Sequence, residues 1–154
     1  MKKSVQPKIH ISVSKQELSL KLGRKKLAAF PISTSRFGLG TKEGSMKTPT
    51  GGFRIAEKIG GGMPVGTVFQ SRRPVKATKK MLLDDDLVMT RILWLAGTGR
   101  TNANTYGRFI YIHGTNHEEQ IGEPASHGCI RMRNTDLVEL FDRVEIDTPV
   151  MIKA

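Results

Sequence analysis

Apolar and polar positions alternate at the start of the chain. Ile9, Ile11 and Val13 are separated by polar residues, and Leu18, Leu20 and Leu22 repeat the pattern after a polar break at Ser14-Lys15. A period of two is that of a half-buried strand, so the spacing predicts a β-hairpin. Gly23-Arg24-Lys25-Lys26 supplies the next turn and Leu27 to Ser33 the next strand, an opening meander suited to an antiparallel sheet. Residues 36–52 are a long glycine-rich connection containing the turn sequence Lys47-Thr48-Pro49-Thr50-Gly51-Gly52. Phe53 to Ile59 reads as a strand, and Gly60-Gly61-Gly62-Met63-Pro64 breaks it with the composition of a flap or a surface loop. Leu87 to Leu95 reads as a buried strand with Trp94 in the core, and Asp84-Asp85-Asp86 as a turn between strands. Phe109-Ile110-Tyr111-Ile112 is a short β-type run ending at His113-Gly114. Only from Asn134 does the period change: Leu137, Leu140, Phe141 and Val144 recur at helical spacing. Asn134 or Thr135 is placed to N-cap that helix, with Asp136 in its first turn. Pro149 to Ile152 closes the chain as a strand. The expected fold is mainly β with one short helix near its end.

Composition narrows this picture. The chain has 154 residues, the usual size of one domain, with residues 1–7 as an extension and 8–154 as the folded unit. No apolar run is long enough to span a bilayer. Met1-Lys2-Lys3-Ser4-Val5-Gln6-Pro7 begins as a signal peptide begins, but no apolar stretch follows. The formal net charge of +11 points to anionic partners or to a solvated basic surface. The basic residues are scattered in twos and threes without interleaved aromatics, unlike a nucleic-acid groove. The single cysteine excludes an intrachain disulfide and a zinc site built mainly from cysteines.

What surrounds Cys129 decides its chemistry. It sits in Ser126-His127-Gly128-Cys129-Ile130-Arg131-Met132-Arg133. Gly128 lets a substrate approach the backbone with no Cβ in the way. Arg131, Arg133 and a protonated histidine would each lower the thiol pKa and raise the thiolate fraction, as covalent catalysis requires. A base must lie within hydrogen-bond reach of the sulfur, and His113, His117 and His127 all qualify. Spacing alone chooses among none of them, because such dyads assemble in space.

His113-Gly114-Thr115-Asn116, Ile121-Gly122 and Ser126-His127-Gly128-Cys129-Ile130-Arg131-Met132 together resemble the YkuD-type L,D-transpeptidase catalytic domain. Thr48-Pro49-Thr50-Gly51 upstream, the segment at Thr90–Leu95, the helix at Asn134 and Asp136 and the closing Thr148-Pro149-Val150 extend the resemblance from about Lys8 onward. It implies a β-sandwich of mixed sheets with one short C-terminal helix. It implies that Cys129 is the nucleophile, His113 the general base and acid, and Gly114 the residue whose backbone carbonyl orients His113. Gly128 and Cys129 would offer N–H groups to an oxyanion, and Ser126, His127 and Arg131 would shape the pocket or hold substrate carboxylates. The implied substrate is a peptidoglycan stem peptide, attacked at its third residue with release of D-alanine and crosslinked 3→3 through an amine. No cofactor or metal is implied, a monomer is expected, and the implied location is the cell envelope. Asp147 stands where the family usually has glycine, and reads as a turn variant.

Four other readings compete. Water in place of the amine gives an L,D-carboxypeptidase, and a protein lysine gives attachment of an envelope protein to the wall. A metal hydrolase would use His113, His117, His127 and Cys129 around zinc. A non-catalytic wall-binding module would bind stems without turnover.

Overall fold

The computed structural model describes residues 6–154, so most of the expected N-terminal extension, residues 1–5, lies outside the described residues. In chain order the elements are β1 (Lys8–Ser12), β2 (Glu17–Leu22), β3 (Lys25–Ser33), β4 (Gly51–Ile59), β5 (Val68–Gln70), β6 (Arg73–Val75), α1 (Lys79–Asp84), β7 (Val88–Gly97), β8 (Tyr111–Gly114), a 3-10 turn at Glu118–Gln120, β9 (Ile130–Met132), α2 (Asn134–Arg143) and β10 (Pro149–Lys153). The strands run β4-β10-β1-β2-β3-β9-β8-β7-β5-β6, and β7 also pairs with β4. The mixed sheet therefore closes on itself, with β5 and β6 attached outside the ring. β1 with β10 and β8 with β9 are parallel; the other pairs are antiparallel.

The alternation seen in the sequence sorts the two faces of this ring. Ile9, Ile11, Leu18, Leu20, Ile55, Leu93, Leu95, Ile112 and Ile130 form one buried cluster. Leu137, Leu140 and Phe141 of α2 join it, one helical face at i, i+3 and i+4. Burying each such side chain contributes roughly 1.5–3 kcal/mol. The residues between them in β7 and β8, namely Ile92, Trp94 and Tyr111, pack with Phe69 into a second cluster on the other face. Trp94 is thus buried, stacked on Tyr106 at 4.1 Å and edge-on to Tyr111.

Several boundaries differ from expectation. The run predicted at Phe109–Ile112 becomes a strand at Tyr111–Gly114, because Phe109 takes φ 58° and leaves the β region. His113 and Gly114 therefore lie inside the strand. Asp84 ends the short helix α1 rather than forming a turn between strands. Neither Asn134 nor Thr135 caps α2; Arg133 holds that position without a side-chain bond. Asn134 is occupied elsewhere, donating to the Thr115 carbonyl at 2.8 Å and accepting from Thr90 Oγ1 at 2.5 Å. The far end of α2 is held by Lys58, whose ammonium donates to the Phe141 and Val144 carbonyls at 2.7 Å each, a cation where the helix dipole is negative. Asp147 does adopt a turn conformation, at φ 73°, and pairs with Arg54.

Candidate active site

The parallel register of β8 and β9 sets His113 opposite Arg131 and Ile112 opposite Ile130. Ile112 and Ile130 point into the core. Side chains two apart on a strand share a face, so Tyr111 and His113, with Cys129 and Arg131, line the opposite face. The sequence-distant histidine and cysteine are thereby brought to one cavity of about 140 Å³, shared with Asp86, Val88, Ser126, His127 and Arg131. Cys129 also borders a second cavity of about 370 Å³, lined by Glu43, Met46, Arg108, Phe109 and His127 among others. The half-buried cysteine separates the two. A larger groove of about 470 Å³ lies across β1, β4 and β10, away from the cysteine.

The cysteine loop is held from both sides. Ser126 Oγ donates to the Cys129 carbonyl at 2.6 Å and accepts from the Gly128 N–H at 3.3 Å. Thr48 Oγ1 donates to the Gly128 carbonyl at 2.9 Å and accepts from the Ser35 N–H at 2.9 Å. Both hydroxyl residues are buried. Gly128 sits at φ 129°, where an L side chain is strained. Ser126 thus braces the loop. Thr48 joins that loop to the long glycine-rich connection, whereas Thr50 and Gly51 line neither cavity.

His113 is 4% exposed, and its Nδ1 lies 2.5 Å from the Gly114 carbonyl. A carbonyl only accepts, so Nδ1 carries the proton and Nε2 keeps its lone pair in the neutral ring. Gly114 has no alternative here: a Cβ would fall 2.1 Å from Asn134 Oδ1 and 2.7 Å from the Met89 carbonyl. Burial lowers the His113 pKa and Arg131 adds to that, while the Gly114 bond and the Asp86 charge offset part of it. The ring is therefore neutral at pH 7. Of the other two candidate bases, His117 turns to the Asp85 carbonyl at 3.0 Å and lines neither cavity. His127 is exposed, and its Nδ1 is 3.1 Å from Asp86 Oδ2.

The thiol departs from expectation. Burial pushes Cys129 up to about 11, outweighing the Tyr111 N–H bond and the Arg131 and Arg108 charges that favour the thiolate. Arg133 is exposed at the start of α2, and His113 is uncharged. The resting thiol is therefore protonated at pH 7, so attack depends on a base acting at that moment. Sγ accepts from the Tyr111 N–H at 3.3 Å and points its proton at the Phe109 carbonyl, 3.4 Å away. Among the described residues no hydrogen bond joins Sγ to His113; the two share the cavity wall.

Arg131 is 2% exposed and committed internally, at 2.6 Å from Asp86 Oδ2 and 2.7 Å from Gln120 Oε1. These two bonds tie it to the cavity wall, and its Nε is buried without a hydrogen-bond partner among the described residues. Asp86, read from the sequence as part of a turn, proves to be a cavity residue. Its two partners lie 41 and 45 residues away in sequence, so no local pattern could reveal it. Among the described residues no three His, Cys, Asp or Glu side chains converge as metal ligands would.

Comparison with known proteins adds the family context. The model of the L,D-transpeptidase catalytic domain matches residues 6–152. Putative L,D-transpeptidase YkuD of Bacillus subtilis is 28% identical over 145 residues, which cover 94% of this chain and 64% of that protein. Putative L,D-transpeptidase YqjB, also of Bacillus subtilis, is 50% identical over 48 residues, 31% of this chain and 27% of that protein. Among solved structures, residues 123–326 of the L,D-transpeptidase from Xylanimonas cellulosilytica superpose with a TM-score of 0.64 at 19% identity, covering 99% of this chain and 63% of that one. The chain thus spans less than two thirds of the length of each of these relatives.

Proposed function

The chain belongs to the L,D-transpeptidase catalytic domain family, and from that membership we propose that it moves the acyl group of a peptidoglycan stem peptide through a thioester on Cys129. The observation that carries this reading is the parallel β8–β9 pairing, which sets His113 and Cys129 on one face beside a shared cavity. His113 Nε2 takes the thiol proton as Sγ attacks the carbonyl of the third stem residue. The Gly128 and Cys129 N–H groups face the developing oxyanion; the Gly128 N–H bond to Ser126, at 3.3 Å, is long and readily exchanged. His113 returns the proton to the departing amine, and D-alanine leaves. An amine from a second stem then attacks the thioester, forms the 3→3 crosslink and restores the thiol.

On this reading the protein acts in the cell envelope as a cysteine-dependent acyltransferase on stem peptides, which the family match supports. No helix among the described residues is long and apolar enough to cross a membrane. The test is intact-protein mass spectrometry of the protein mixed with a tetrapeptide muropeptide, beside Cys129→Ala. A tripeptide adduct on the unsubstituted protein alone, with D-alanine released, is the expected result. Tripeptide as the final product would assign the carboxypeptidase reaction instead. A folded protein with a reduced thiol that forms no adduct would leave only stem binding without turnover.

A further inference from the structure

The two cavities that meet at Cys129 differ in what they can admit. The base His113 lines only the smaller one. The second reactant must present its nucleophilic atom to both the thioester and that base, so it enters by the smaller cavity. This space has a volume of about 140 Å³ and admits the end of an alkylamine.

Its wall carries one acid. Among the described residues Asp86 is the only carboxylate lining it, and Val88 beside it offers an apolar surface to a methylene stem. Asp86 Oδ2 is taken by Arg131 at 2.6 Å and by His127 Nδ1 at 3.1 Å. Among the described residues Oδ1 has no partner, and the side chain is 34% exposed. Burial would raise the pKa of this carboxyl, but the Arg131 charge and the bonds from Arg131 and His127 hold it below the usual carboxylate range. A carboxylate held in place on the cavity wall, with one oxygen unpartnered among the described residues, can accept a charge-assisted hydrogen bond from an ammonium group.

We infer that Asp86 is a specificity-determining residue that recruits a protonated primary amine as the acyl acceptor and so favours aminolysis of the thioester over hydrolysis. The inference rests on the acyl-enzyme reading above. The bound ammonium loses one proton to solvent. The free amine then attacks the thioester carbonyl, the new C–N bond forms and the C–S bond breaks. His113 takes the second amine proton and returns it to Sγ. Water carries no charge for Asp86 to hold and gains nothing from it.

The experiment uses the full chain acylated by a tetrapeptide stem, with two acceptors compared: Nα-acetyl-lysinamide, a cation at neutral pH, and methoxyamine, which is neutral there. With Asp86→Asn, the apparent KM for the lysine amine should rise about tenfold, as expected for loss of a charge-assisted bond. Loss of the Arg131 partner will change acylation equally for both acceptors, so the comparison between them carries the test: the methoxyamine KM should stay within about twofold of the parent, and Asp86→Glu should restore the preference for the lysine amine. In the unsubstituted protein, added salt should weaken the lysine amine alone, a test that needs no folded variant. Equal losses with both acceptors would make Asp86 a brace for Arg131 and overturn the inference, as would no loss with either. Failure of the unsubstituted protein to acylate would overturn the transpeptidase reading itself, and this inference with it.

Discussion

His113 Nδ1 lies 2.5 Å from the carbonyl of the very next residue, Gly114. One backbone oxygen thereby sets the tautomer of the ring, and it does so inside a strand whose neighbours admit no side chain at Gly114. Replacing His113 by Gln should keep the buried volume but remove the base. The rate of acyl-enzyme formation should fall by about 10²–10⁴, with the thermal midpoint changed by only a few degrees. Single-turnover mass spectrometry beside thermal unfolding measures both.

Gly114→Ala tests the orienting group without touching the imidazole. The new methyl must displace Asn134, which bonds Thr115 and Thr90. Overpacking of this kind costs about 1–3 kcal/mol. A drop of several degrees in thermal midpoint should accompany a loss of acylation, read in the same two assays.

The pH dependence follows from two opposite shifts. His113 has its pKa lowered by burial, so the acid limb of the acylation rate should lie below the ordinary histidine value of about 6.5. Below that value the unfolded chain takes up protons that the folded chain refuses, so stability falls as pH drops. Cys129 is raised to about 11, so between the ordinary thiol value of 9.0 and about 11 the folded chain keeps a proton that the unfolded chain loses. Stability falls with rising pH through that window. Alkylation by iodoacetamide should show the thiol titrating near 11, and chemical unfolding at several pH values should show both losses.

How much of this was readable beforehand depends on range. Ile9, Ile11, Leu18 and Leu20 announced their strands by alternation, and Leu137, Leu140 and Phe141 their helix by spacing, because those signals are local. Cys129 and His113 could be singled out as the proposed nucleophile and base because the short sequence around Cys129 and the His113-Gly114 pair resemble a known family. Thr48, which holds the Gly128 carbonyl across 80 residues, and Asp86, which holds Arg131 across 45, left no local trace. The strands β5, β6 and β9 have three residues each, too few for a period to show. The thiol pKa was misjudged because nearby cationic residues are visible in a sequence and burial is not.

Thr48→Val should convert the first of those hidden contacts into a measurement. It leaves the Gly128 carbonyl and the Ser35 N–H without their partner in a buried setting. The expected cost is about 1–3 kcal/mol in chemical unfolding, with slower acylation because the cysteine loop loses one of its two braces.

The ring of strands also fixes an order of events in time. β10, at residues 149–153, lies between β1 and β4 and pairs with both. The pairing of β8 with β9, which sets His113 and Cys129 beside one cavity, is already encoded by residue 132. Until the last strand is made, however, β1 and β4 each keep an unpaired edge and the core has a missing wall. Pairings that join the two ends of a chain form slowly. Closure of the ring by β10 is therefore expected to follow the β8–β9 pairing and to be the slow step of folding.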